Sequence, residues 1–233
     1  MPCATSIIGC RRTVIALVLL LAFYGLALNG LLEGGDAERY AIFGRSMAER
    51  GDVILLSHTN EPAGERYGPS YPALIGFFFL LFGYSIYAAK LASLLPAVFA
   101  AYATYLLVRE LSDEKTAILV SLLFAVSPQM LQYSHNIMTE STFTLFSILA
   151  LLFVVRHAKN PKNGINLPAA AFFIAASALT KSGGMVLLAA VVLHYLLGRD
   201  LKSATAVVFL FVVFMIPWYL RNLHWFGSPL HSD

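Results

Sequence analysis

The sequence predicts an all-α polytopic membrane protein: a transmembrane helix bundle of about seven spans, with interfacial helices in its first external loop. Composition is the first observation, since 58% of the 233 residues are hydrophobic and only 12% are charged, far from the roughly one-quarter charged residues of soluble domains. The second is that the apolar residues gather into runs parted by short polar breaks. The third is that Lys and Arg cluster in alternate breaks, the bias that orients membrane chains. A net charge of +3, scattered along the chain, gives no basis for a nucleic-acid partner.

Thr13 to Leu32 follows Arg11 and Arg12 and could be read as a signal peptide. Its apolar core is about twenty residues, longer than the ~7 to 15 of such segments, and no small-x-small cleavage site follows it. An uncleaved first span is expected. Cys3 and Cys10 both precede this run, so neither a disulfide framework nor a cysteine-rich metal site is available. Residues 33–87 then form a large external loop. Within it, Tyr71 to Phe82 ("YPALIGFFFLLF") is shorter than the ~17 to 25 residues a spanning helix needs and is bracketed by Pro72 and Gly83. It is therefore placed in or along the outer interface.

The later spans are Ala88 to Val108, Ala117 to Gln132, Thr142 to Val155, Leu167 to Thr180, Gly184 to Leu197 and Ala204 to Leu220. One arrangement puts Arg11, Arg12 and the clusters Arg109 to Lys115, Arg156 to Lys162 and Arg199 to Lys202 all on the cytoplasmic side. The N-terminus is then cytoplasmic, and residues 128–141 form a second external loop. Leu167 to Leu197 could be one tilted helix or two short ones. A lysine at mid-bilayer costs roughly 2.5 to 3.5 kcal/mol, which favours a hairpin that turns externally at Lys181. With no internal repeat, low-complexity tract or soluble domain, residues 1–233 read as a single transmembrane module of a plasma (inner) membrane.

The external breaks carry the candidate chemistry. Asp36 begins an interfacial helix that runs to about Arg50 and is closed by Gly51, and Asp36, Tyr40, Phe43 and Met47 share one face of it. Asp36 also suits a helix N-cap, a role compatible with orienting it. In the second loop, Pro128 should end the third span, while Thr139 and Glu140 open the fourth. Glu140 thus reaches the same face as Asp36, and two carboxylates at one interface can divide proton-transfer and binding roles. His135, taken alone, reads as a solvated loop residue. Arg39, Arg45, Arg66, Lys181 and Arg221 gather on the external face, where an anionic ligand would account for them. Arg45 and Glu49, at i and i+4, read as a helix surface pair, whereas Arg66 lies in the rigid segment "ERYGPSYP".

These features occur in a characteristic order: D-x-x-x-Y in the first loop, "YGPSYPAL" into a short apolar helix ending "LFG", then "SPQMLQYSHNIMTES", "ALTKSGG", and "PWYLRN" with "FGSP". The set resembles the polytopic GT-C glycosyltransferases, particularly the dolichyl-phosphate-mannose protein mannosyltransferase-like, Rgt-like and aminoarabinose-transferase-like branches. The resemblance implies transfer of a sugar from a polyprenyl-phosphate donor to a lipid, glycan or protein acceptor at the outer membrane face, with inversion. By position it implies that Asp36 is the catalytic base and Glu140 the second acid. Arg66, Lys181 and Arg221 become candidates for the donor phosphate, and Tyr40, Tyr67, Tyr71 and His135 for substrate contacts.

Family members are usually at least twice as long, so the chain is expected to be an N-terminal portion. His135 stands where many relatives carry Arg, and "YGPSYPAL" replaces a clean "PPLY". A divalent cation is compatible with carboxylates near phosphate, but no ligand spacing demands one and the metal is left unassigned. The competing readings are a transporter or lipid-binding subunit, and a folded but inactive module.

Overall fold

The computed structural model describes residues 15–16, 18–26, 35–57, 62–64 and 67–229. These are almost wholly helical, and the single β contact among them is an isolated antiparallel bridge between Ile54 and Ala63. A first helix, α1, covers residues 18–25. It is followed by α2 (Gly35–Arg50), α3 (Ser70–Phe82), α4 (Ile86–Leu111), α5 (Glu114–Ala125), α6 (Pro128–His135), α7 (Glu140–Lys159), α8 (Asn166–Ala178), α9 (Gly183–Leu197) and α10 (Leu201–Phe226).

Local chemistry fixes these boundaries. The side chains of Ser85, Asp113 and Asp200 accept from the backbone N–H groups of Ala88, Thr116 and Ser203, capping α4, α5 and α10. The interfacial helix expected from Asp36 to Arg50 is present as α2, and the short apolar run before Gly83 is α3.

By length and composition, α4, α7 and α10 are each sufficient to cross a membrane. Helices α5 and α6, bent by 55° at their junction, add a fourth if taken as one span. About seven spans were expected. The shortfall has two sources: nine of the twenty residues from Thr13 to Leu32 lie outside the described residues, and α8 and α9 have only 13 and 15 residues.

The third span also differs from its expected course. Pro128 does not end it; α5 stops at Ala125, and Pro128 opens α6 in the first turn, behind Ser127, whose side chain accepts from Met130 N–H. Proline suits a helix start because it lacks only an N–H that the first turn leaves unbonded. The break therefore falls about three residues earlier than a proline-as-terminator reading implies.

Leu167 to Leu197 resolves into an antiparallel hairpin. A Cβ added at Gly184 would overlap the backbone of Ala178, which requires the chain to fold back on itself. Val191 and Tyr195 of α9 pack against the Ala170, Ala171 and Ile174 side of α8, together with Val207 and Phe211 of α10. Two further apolar clusters join α2, α3 and α4 around Tyr71, Ile75 and Ala92, and α1, α4 and α6 around Tyr24, Val98 and Met130. Alanines dominate these contacts on α4 and α8, because small residues let helices approach where the hydrophobic effect between helices is absent.

The bundle has two polar ends. At one, Glu110 closing α4 meets Arg156 and Lys159 closing α7, each at 3.0 Å. His157 meets Ser203 at the start of α10 there, also at 3.0 Å. The other end gathers the start of α2, the start of α7, the α8–α9 turn and the end of α10, and it carries the candidate site.

Candidate functional site

Asp36 lies exposed in the first turn of α2, where its charge suits the helix N-terminus. Tyr67 donates its hydroxyl hydrogen to Asp36 Oδ1 at 3.1 Å and accepts one from Arg39 at 3.0 Å. The segment that carries Tyr67 is fixed by close approach. A Cβ at Gly68 would overlap the carbonyl oxygen of Leu179, which accepts from Ser70 N–H at 3.3 Å. Glycine here lets the 67–70 strap lie directly on the end of α8.

Tyr40, one turn beyond Asp36, connects the two acids. Its ring stands edge-on to Tyr67 at 5.2 Å and to Tyr71 at 5.0 Å. Burial pushes its hydroxyl up to about 12; a hydrogen bond with Thr139 opposes the rise, and the charges of Asp36 and Glu140 add to it. The hydroxyl is thus protonated throughout the neutral range. Thr139 in turn donates to Glu140 Oε2 at 3.4 Å, and Lys181 Nζ lies 3.0 Å from Glu140 Oε1. Polar groups therefore continue from Lys181 through Glu140 to Thr139, beside which Tyr40 sets its ring edge-on to Tyr67, the partner of Asp36 and Arg39.

The platform under these groups is rigid. Tyr71 is fully buried and shares a 2.6 Å hydrogen bond with Ser93, which also bonds the backbone of Met138. Thr142 donates to Ala92 O at 2.9 Å. These bonds set the residues just before Glu140 on the wall of α4. Tyr71 thus contributes from beneath the site, with its own hydroxyl raised by burial.

The remaining candidates are placed differently. His135 Nε2 lies 3.0 Å from the carbonyl oxygen of Tyr24, joining α6 to α1. Arg66 lies outside the described residues. Arg45 bonds Glu49 at 2.7 Å as the i, i+4 pair expected, and its guanidinium also lies 5.2 Å from the Tyr84 ring centre. Arg221 donates to Asp52 Oδ1 at 2.9 Å, Val53 O at 2.8 Å and Gly64 O at 3.2 Å, and sits 4.6 Å from the Trp218 ring centre. Trp225 Nε1 donates to the other oxygen of Asp52 at 2.7 Å.

Asp52 was not singled out in the sequence. Arg221 and Trp225, at i and i+4 on one helix face, were the available sign that a carboxylate would meet them. A cavity of about 210 Å³ lies beside this clamp, bounded by Asp52, Pro69, Leu179, Trp218 and Arg221. A larger cavity, about 520 Å³, is apolar and runs along α1, α4 and α5, away from the two acids.

Among the described residues no group of three or more His, Cys, Asp or Glu side chains converges as a metal set would. What the site offers is an exposed, oriented carboxylate, a second carboxylate paired with an accessible ammonium, and a protonated phenol between them. Proton acceptance and stabilisation of a leaving anion are the chemistry such groups support.

Solved structures of other proteins share this fold. ArnT from Cupriavidus metallidurans in the apo state matches with a TM-score of 0.76 at 21% identity, over 93% of this chain and 42% of that one. The same protein bound to undecaprenyl phosphate matches with a TM-score of 0.76 at 21% identity, over 92% and 42%. The Archaeoglobus fulgidus oligosaccharyltransferase in complex with Zn and sulfate matches at 0.74 and 17% identity, over 93% and 34%. The chain thus spans less than half the length of these proteins. No curated protein matches its sequence. The family model described as dolichyl-phosphate-mannose-protein mannosyltransferase matches residues 64–225, more than half of the chain. The chain therefore belongs to the dolichyl-phosphate-mannose-protein mannosyltransferase family, within the GT-C superfamily of membrane glycosyltransferases.

Proposed function

We propose that this protein transfers a sugar from a polyprenyl-phosphate-linked donor to a lipid, glycan or protein acceptor at the outer face of a plasma (inner) membrane. The observation that carries the reading is the junction of Asp36 to Glu140 and Lys181 through Tyr67, Tyr40 and Thr139 at one end of the bundle. Family membership supports the reaction class, and the complex of one structural neighbour with undecaprenyl phosphate supports the donor class.

In this reading the acceptor hydroxyl or amine attacks the anomeric carbon while Asp36 takes its proton. The bond from that carbon to the phosphate oxygen breaks, and the polyprenyl phosphate leaves with the electron pair. Lys181 meets its growing charge, and Asp36 returns the proton to solvent. A single displacement of this kind inverts the anomeric centre. Arg66 and Arg221 remain candidates for the phosphate. For Arg221 that role requires a ligand to share a guanidinium already bonded to Asp52 and Val53.

The test is transfer from labelled polyprenyl-phosphate sugars in proteoliposomes, comparing the parent chain with Asp36→Asn at matched insertion. Loss of transfer in the variant alone is expected, and full transfer by it would sink the role given to Asp36.

A further inference from the structure

The lysine proposed to meet the lipid phosphate is already engaged. Lys181 Nζ lies 3.0 Å from Glu140 Oε1, with side chains 48% and 23% exposed. An ion pair this accessible contributes little net stability, so an arriving phosphate can open it. Glu140 also has a second partner, the Thr139 hydroxyl at 3.4 Å, on its other oxygen. The carboxylate can keep that bond when the lysine leaves.

We propose that Glu140 and the lipid phosphate compete for Lys181, so that donor arrival frees the glutamate and the glutamate retakes the lysine as product departs. The inference rests on the donor chemistry above and adds an internal competitor for the phosphate position. A phosphate brought to Lys181 while Glu140 stays in place sets two anions against each other within a few ångströms, which disfavours sharing. The competition bears unequally on substrate and product. The sugar-bearing phosphodiester has one negative charge, whereas the monoester left after transfer carries about 1.5 to 2 at pH 7. The monoester gains more from the lysine and would dwell longest without a competitor. Glu140 thereby aids release of spent carrier.

The experiment is a binding titration of the full chain in nanodiscs with undecaprenyl phosphate, using undecaprenol as the neutral control. Glu140→Gln should tighten phosphate binding by about two- to fivefold, the factor by which an exposed ion pair holds the lysine back from the phosphate. Lys181→Gln should weaken it, and adding Glu140→Gln on that background should give no gain. Lys181→Arg retains a cation opposite Glu140, so the gain should reappear when Glu140→Gln is added to it, which guards against misfolding of the glutamine variant. Equal or weaker binding by folded Glu140→Gln overturns the competition and leaves the donor reading standing. A parent chain that binds undecaprenyl phosphate no better than undecaprenol overturns the donor reading, and the competition with it.

Discussion

The Tyr67 hydroxyl bridges Asp36 and Arg39, donating to the carboxylate at 3.1 Å while accepting from the guanidinium at 3.0 Å. The phenol orients the carboxylate through one oxygen and stands between it and the arginine. Tyr67→Phe should slow transfer by about ten- to a hundredfold, the loss expected when an oriented base is released. Its unfolding midpoint should stay close to the parent's. Steady-state transfer kinetics with thermal unfolding in detergent would check both, and an unchanged rate would remove Tyr67 from the site.

Gly68→Ala tests the same geometry through the backbone. The added methyl meets the Leu179 carbonyl, so the strap must lift and Tyr67 with it. Overpacking of this kind costs about 1 to 3 kcal/mol. The expected outcome is lower stability together with a fall in transfer as large as that of Tyr67→Phe.

Arg221 holds Asp52, Val53 and Gly64 to the end of α10 by three hydrogen bonds that a lysine cannot reproduce together. Arg221→Lys should destabilise the protein by about 2 to 3 kcal/mol and raise hydrogen exchange at Val53 and Gly64. If exchange there is unchanged while lipid-phosphate affinity collapses, the residue acts on the ligand and not on the loop.

Tyr40 gives the protein a signature at alkaline pH. Its folded value, about 12, exceeds the ordinary value of 10. The unfolded chain therefore loses this proton first. The associated stability is fully present below pH 10 and is lost as pH rises towards 12. Tyr40→Phe should flatten the fall of the unfolding midpoint across that window, and Tyr71→Phe should flatten what remains.

Glu110 provides the contrasting case. It closes the opposite end through Arg156 and Lys159, and Glu110→Gln should cost roughly 1 kcal/mol while leaving transfer at the parent's rate. Thermal unfolding and the transfer assay would separate the two effects.

Much of this arrangement was legible in the sequence. Helix α2 and its closure at Gly51 followed from capping and facial spacing, and the start of α7 at Glu140 followed from its polar opening. The α8–α9 turn followed from the cost of burying Lys181. The break at Ser127 was not legible, because proline both ends and begins helices and only packing decides between them. The pairing of Lys181 with Glu140 and of Arg221 with Asp52 was also hidden. Each joins residues 41 or 169 positions apart, and sequence periodicity reports only on neighbours within one element. The family resemblance made Tyr71 a candidate substrate contact, and its full burial was hidden too, because it depends on α4 passing beneath it.

The short α8–α9 hairpin has a consequence for the surrounding lipid. At about 1.5 Å per residue its arms reach roughly 20 and 22 Å, against a hydrocarbon layer of about 30 Å. If α8 and α9 cross the membrane as the sequence reading has it, longer neighbours hold them in place and the deficit falls on the bilayer, which would thin around the turn that carries Lys181. In the proposed reaction, a carrier lipid entering such a depression would bring its phosphate down to the lysine without being drawn out of the leaflet.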